Sequence, residues 1–319
     1  MTNDLVVLYE HPEWQLPLFD ALTRRGVNFA PFDLKKGAFD VDQVPKAKLY
    51  FNQASPSAYV RGHTRAVPFA LSFMRSLELA GARVLNGSRA FALELSKSAQ
   101  GTLMRSLDIA HPRSLAFNDV EAAIASWKTW PALLKPEQGG SGARMFLLES
   151  PDELVRLLRD DASIWLPDNL LLLQERFVVD PAKGIVRMEF VGGRLLYAMR
   201  VISHGAFNLC PSEMCNPEDG EGGACEIPVR PKDAGPVKPV EFHPYAEVPD
   251  AAVIAGERIM KAGGLDVGGI EYLEADDGRL VFYDVNANSN LRAPIGKAFG
   301  FDPFERVVDY LVGEIARAT

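Results

Sequence analysis

Apolar positions along this chain switch between strand and helix spacing, and each switch is marked by a turn residue. Residues 4–9, "DLVVLY", form a short apolar run that predicts a buried strand. "EWQLPLFDALTRRGV" follows with Leu18 and Leu22 at helical spacing and stops at Gly26. "NFAPFDL" reads as a second strand, and strand–helix–strand in that order predicts a parallel α/β start. "KLYFNQ" is a further strand, "ASPSAYVRGHTR" a polar loop, "AVPFALSFMRSLELAG" a helix and "RVLNGS" a short strand and turn. Together they predict an N-terminal α/β lobe over residues 1–88.

From residue 89 the pattern changes. "RAFALELSKSAQGTLMRSLD" predicts one helix, "RSLAF" a strand, and "NDVEAAIASW" a helix capped by Asn118. "PALLKPE" and "RMFLLE" flank the glycine-rich "QGGSGA" and predict a hairpin with a flexible tip. "SPDELVRLLRD" has Ser150 at the cap, Pro151 at the first helical position and acids in the first turn. "NLLLLQERFV" is a buried strand that runs into charge and closes a central unit, 89–173. The remainder, 174–319, is antiparallel in pattern. One hairpin turns at Gly192-Gly193, a second at Asp276-Asp277-Gly278, and an amphipathic helix, "DPFERVVDYLVGEIAR", ends the chain.

Composition narrows the classes without choosing among them. The 319 residues are 47% hydrophobic and 24% charged, an ordinary globular balance for about two domains at ~150 residues each. The net charge of −8, with no cluster of Lys and Arg, argues against a nucleic-acid surface. No apolar run approaches the ~20 residues of a membrane span, and the start "MTNDLVVLYEHPEW" lacks a basic leader, so the expected compartment is the cytoplasm. Cys210, Cys215 and Cys225 are an odd count in a chain expected to be cytosolic, which does not read as a disulfide framework. Their C-x4-C spacing fits a zinc site loosely, and a substrate-lining loop with free thiols fits better.

Three stretches carry candidate chemistry. In "YDVNANSN", Asp284, Asn286 and Asn288 alternate and share a face if the strand stays extended. The second hairpin brings Glu271 roughly opposite Asp284. Two carboxylates and an amide make a hard-oxygen site suited to Mg²⁺, and the same residues alone also fit a capped strand end. In "KPEQGGSGARM", Lys135 ends an apolar strand. Gly139, Gly140 and Gly142 let backbone N–H groups approach anionic oxygens, and Ser141 adds a hydroxyl. The spacing matches neither a P-loop nor a dinucleotide fingerprint. In "LLLLQERF", Gln174 and Glu175 end a strand whose extended continuation offers backbone groups to a flat heterocycle.

In this order and at these distances the three stretches resemble the ATP-grasp superfamily, and within it the ribosomal-protein glutamate ligases and lysine-biosynthesis carrier-protein ligases. The resemblance covers most of the chain. It implies an α/β (α+β) ATP-grasp fold: an N-terminal parallel lobe, a small central lid unit and a C-terminal antiparallel sheet. It implies ATP and Mg²⁺, with Mn²⁺ as a substitute, held by Glu271, Asp284 and Asn286. Lys97 and Lys135 fall at the two phosphate-lysine positions, the backbone near Phe177 at the purine edge, and Lys183 at a nucleotide-contacting lysine. Arg187 and Arg200 fall at the family's arginine positions, and Arg200 with Arg187 or Arg292 would stabilise the transferred phosphoryl group.

The implied reaction joins a small-molecule or peptide carboxylate to an amine through an acyl phosphate. No nucleic acid or membrane partner is implied, and a homo-oligomer accords with family habit. A kinase on the same scaffold and a non-catalytic nucleotide-binding protein are the alternatives. The sequence departs from the pattern in four places. Asp284 stands for Glu, Ser289-Asn290 for Pro-Gly, and Ile185 for an acid. "SHGAFNLCPSEMCNPEDGEGGAC" replaces the Arg/His-rich segment of the glutamate ligases. In the first lobe, Tyr59, Arg61, His63 and Arg65 are candidates to hold an acidic substrate.

Overall fold

The structure, a computed structural model, describes residues 3–43, 46–140, 142, 144–178, 180–203 and 240–318. The three cysteines, His204 and the "NPEDGEGG" stretch lie outside them. No helix among the described residues is long and apolar enough to cross a membrane.

The first lobe is the parallel sheet that the apolar runs predict. It contains β1 (Asn3–Tyr9), α1 (Pro12–Arg24), β2 (Phe29–Asp33), β3 (Ala47–Gln53), α2 (Ala66–Leu79) and β4 (Val84–Leu85). The sheet order is β2-β1-β3-β4, all parallel. The polar loop contains a short 3-10 turn, Pro56–Arg61, whose first N–H is accepted by the Ser55 side chain.

The helix expected over 89–108 is in fact two, α3 (Ser88–Leu95) and α4 (Lys97–Ser106). Ser96 breaks it. The residue is extended (φ −122°, ψ 104°) and its hydroxyl accepts the N–H of Ala99, a cap that competes with continued helix. Both helices pack on the C-terminal sheet, where Ala90 and Met104 share one core with Met188, Phe190 and Ile270.

The central sheet contains β5 (Ser114–Phe117), α5 (Val120–Ser126), β6 (Ala132–Pro136), β7 (Phe146–Leu148), α6 (Pro151–Asp160) and β8 (Leu171–Glu175), in strand order β5-β8-β6-β7. Asp119, not Asn118, caps α5. Its carboxylate reaches the N–H of Ala122 at 2.8 Å, the three-residue span a cap needs. Ser150 caps α6 as expected.

The third sheet comprises β9 (Ile185–Val191), β10 (Arg194–Ile202), β11 (Glu241–Pro244), β12 (Val267–Glu274) and β13 (Leu280–Asn286), with α7 (Asp250–Gly263) between β11 and β12. Its order, β11-β10-β9-β12-β13, is antiparallel throughout. Gly192 and Gly193 both have positive φ, which a two-residue hairpin of the right twist requires. Two helices, α8 (Ala293–Ala298) and α9 (Pro303–Arg317), complete the chain. Strand alternation gives this sheet two unlike faces. Val186, Met188, Phe190, Ile270 and Tyr272 enter the core with α3, α4 and α7. Arg187, Glu189, Glu271 and Asp284 share the other face.

Asn86 joins the first lobe to that sheet. It is fully buried with φ 49°, a left-handed conformation that Asn tolerates. Its side-chain N–H groups donate to the carbonyls of Val267 (2.7 Å) and Ala287 (2.5 Å), and its Oδ1 accepts from Asp266 N (2.9 Å) and Val267 N (3.1 Å). Asn86→Ala strands these buried groups and should cost about 3–5 kcal/mol, read as a lower urea midpoint with unchanged slope.

Candidate active site

The second hairpin sets Glu271 directly opposite Asp284 in the ladder. Both line a cavity of about 540 Å³ between the three sheets, as does Asn286. Glu271 accepts from Arg187 Nη1 at 2.8 Å and from the Tyr283 hydroxyl at 2.8 Å. Even so, burial and the charge of Asp284 hold its carboxyl above the ordinary range. Burial would also raise Asp284, but the ammonium of Lys97, paired with it directly, wins and holds it below its ordinary value. Arg187 completes a buried chain of charge by donating its Nε to Glu189 Oε1 at 2.6 Å. Its guanidinium lies over Gly269, where a Cβ would come within 2.7 Å of its Cζ.

Two facing carboxylates that oppose each other's ionisation suit a divalent cation. Among the described residues no three His, Cys, Asp or Glu group as a metal set. A metal here would take Glu271, Asp284 and the Asn286 carbonyl and draw its remaining oxygens from a bound phosphate, a shell typical of Mg²⁺. The donor set therefore fits the ion expected from the sequence.

Two lysines face this pair. Lys97 opens α4, which Glu137 holds in place: its carboxylate accepts from the hydroxyls of Ser96 and Ser98 and from Ser98 N. Lys135, on β6 just before Glu137, donates to Gln174 Oε1 at 2.9 Å. Burial, with Lys97 nearby, pulls the Lys135 ammonium down to about 8. Gln174 passes its own N–H to Ser114 Oγ at 3.0 Å, so it orients Lys135 as well as lining the cavity. Glu175 and Phe177 line the cavity beyond it, and Glu175 accepts from Arg113 N at 3.2 Å.

The glycine loop reaches across to the first lobe. Gly139, Gly140 and Gly142 line the cavity. Gln138 donates to the Pro56 carbonyl at 3.3 Å, and a Cβ on Gly140 would stand 2.6 Å from Ser57 Cβ and 2.9 Å from its Cα. Ser141 lies outside the described residues.

Several expected residues sit elsewhere. Arg200 is paired in the ladder with Val186, on the opposite face from Arg187. There it donates to Glu274 at 2.9 Å and stacks on Tyr245 at 4.2 Å. A strand's period of two separates them: Arg187 and Arg200 cannot face the same side when Arg187 pairs with Met199. Arg292 lies over the Phe242 ring at 3.7 Å and does not line the cavity. Lys183 is exposed at the turn before β9, likewise outside the lining.

In the first lobe, Arg61 is spent. It forks onto Glu10 (2.6 and 3.2 Å) and donates to Ser57, while His63 meets the same carboxylate. Tyr59 is half-buried with its hydroxyl enclosed and without a partner, and Arg65 is exposed. The four do not form a free cationic patch.

One residue was missed. Glu94, on α3, lines the cavity, is fully buried, and its Oε2 has no hydrogen-bond partner. Burial above all, with Asp284 adding, pushes its carboxyl up to about 8. The available signal was an acid on the apolar face of "FALEL".

No family model matches the chain. It is 25% identical over 251 residues to a probable alpha-L-glutamate ligase of Haemophilus influenzae, covering 78% of this chain and 74% of that one. Its backbone superposes on the ATP-grasp ligase PsnB complexed with a minimal precursor at TM-score 0.66, with 18% identity and coverage of 98% and 100%. It also matches a RimK domain ATP-grasp protein of Sphaerobacter thermophilus (TM-score 0.68, 16% identity, coverage 96% and 98%). The VanG D-Ala:D-Ser ligase of Enterococcus faecalis superposes equally well (TM-score 0.68, 17% identity, coverage 99% and 100%). The fold is the ATP-grasp fold, as the motifs implied.

Two outcomes follow from the geometry. Because Lys135 loses its charge above about pH 8, a triphosphate must bring a proton with it in alkali. The KM for ATP should then rise by up to about tenfold per pH unit above that point, and Lys135→Met should give a higher, flat profile. Gly140→Ala should keep the loop from seating on Ser57 and lower turnover about 10–100-fold with the melting temperature unchanged.

Proposed function

We propose that this protein, with its ATP-grasp fold, is an ATP-dependent carboxylate–amine ligase. The observation that carries the reading is the continuous cavity that joins the Glu271–Asp284–Asn286 set, Lys97, Lys135 and a glycine loop seated on the opposite lobe. The 25% identity to probable glutamate ligases and the likeness to ligase structures support the same chemistry.

A substrate carboxylate oxygen would attack the γ-phosphorus of ATP, and ADP would leave. An amine nitrogen would then attack the acyl carbon, inorganic phosphate would leave with the bonding pair, and the amine would lose a proton. Every group in the first step is anionic, so the protein's contribution is charge compensation and alignment. Lys97 and Lys135 would offset the triphosphate. Lys97 would turn from Asp284 toward phosphate once a cation takes its place. Arg187, anchored on both sides by Glu189 and Glu271, would present a fixed positive edge to the transferred group. Mg²⁺, when bound, would supply Lewis-acid stabilisation of phosphate oxygens. The glycine loop would exclude water, which otherwise hydrolyses an acyl phosphate.

The test is ADP release by purified protein over paired acids and amines. Release that needs both partners, with amide formed, is the expected result. A stable phosphorylated product in the absence of amine would make the protein a kinase instead. Asp284→Ala should lower turnover by at least about 100-fold at saturating ATP, because Glu271 and Asn286 alone leave the cation under-ligated.

A further inference from the structure

Beyond Asn286 the cavity does not end. It follows Asn288, Ser289 and Asn290 to the seam between α1, β3 and α9. There its wall is Trp14, Leu18, Phe51, Leu291, Phe304 and Val307. Leu18, Phe51 and Val307 are at most 3% exposed and belong to the core between the lobes, so they back this end, and its open apolar surface comes from the half-buried Trp14, Leu291 and Phe304. Trp14 is clamped, with the Arg61 guanidinium 4.5 Å from its ring centroid and His11 stacked at 4.5 Å. The polar groups on this side, such as Gln15 and Gln53, are uncharged. Asn288 donates to the carbonyls of Gln53 and Ala54, which fixes the wall in place.

The charged lining lies elsewhere. Among the described residues it consists of Glu94, Lys97, Lys135, Arg187, Glu271 and Asp284 around the carboxylate pair, and Glu175 and Arg176 at the far hinge. The basic residues behind the apolar wall, Arg61 and His11, do not line the cavity, and Arg61 is neutralised by Glu10. A side-chain carboxylate placed in this recess would lose its water and meet no cation among the described residues, whereas a hydrocarbon group would gain from both the burial and the packing.

Resting on the ligase reading, we infer that one of the two reaction partners is an amino acid, free or at the end of a peptide, with an uncharged apolar side chain. That side chain, aliphatic or aromatic, seats in the recess, and glutamate does not. The recess, Ser289-Asn290 and the carboxylate pair line the same cavity.

The experiment is ADP release by the full chain with ATP, Mg²⁺ and pairs of amino acids and dipeptides. Pairs that contain leucine, isoleucine, methionine or phenylalanine should exceed all others by at least about tenfold. Fastest turnover with glutamate, aspartate, lysine or arginine and no apolar partner overturns the inference. Calorimetry of leucine, phenylalanine and glutamate into protein loaded with Mg²⁺ and a non-hydrolysable ATP analogue separates it from the ligase reading. Saturable binding of an apolar amino acid without glutamate binding supports the recess even if no amide forms. Glutamate binding alone, or no binding, overturns it. Leu291→Ala should shift preference toward larger side chains with the KM for ATP within about twofold, and Phe304→Ala should act in the same direction. Unchanged size preference in both variants overturns the assignment of this wall.

Discussion

Charge that cannot reach water must be matched inside the molecule, and that requirement shapes the centre of this structure. Four carboxyl groups (Glu94, Glu189, Glu271 and Asp284) and three cations (Lys97, Lys135 and Arg187) are buried or nearly so around one cavity. Direct ion pairs hold five of the seven: Arg187 lies between Glu189 and Glu271, and Lys97 on Asp284. Breaking a buried pair costs more than the pair contributes, so the cluster holds its geometry by the penalty of separation. The same balance leaves Glu271 above its ordinary pKa range and Lys135 below its own.

The surrounding fold serves that cluster. Glu137 ties β6 to the start of α4 and so fixes the spacing of the two lysines, which come from different parts of the chain. Asn86 ties the parallel lobe to the end of β13, the strand that carries Asp284 and Asn286. Gly269 lets the Arg187 guanidinium lie against the β12 backbone. Glu137 and Asn86 act through hydrogen bonds that an apolar residue could not make, and Gly269 acts by having no Cβ.

Much of this was legible beforehand because it depends on short periods. Two-residue alternation with a tight turn put Glu271 opposite Asp284, and the ladder agrees. The glycine loop between paired strands and the apolar β8 running into Gln174 were equally local. Readings that needed a partner distant in sequence fared worse. The helix predicted across Ser96 divides there, because the Ser96 hydroxyl caps Ala99 N and is itself held by Glu137, 41 residues away. Arg61 looked free because Glu10 lies 51 residues away.

What the sequence determined by itself is the set of elements and the pairs one hairpin apart, since side-chain period and turn chemistry are properties of a few adjacent residues. The tertiary structure decided which face each strand turns to the cavity. It sent Arg187 inward and Arg200 outward, brought Glu94 beside the carboxylates, spent Arg61 on Glu10, and opened an uncharged recess where the lobes meet. Those outcomes follow from register and from charge balance among segments tens to hundreds of residues apart. Neither is written in any single stretch of the chain.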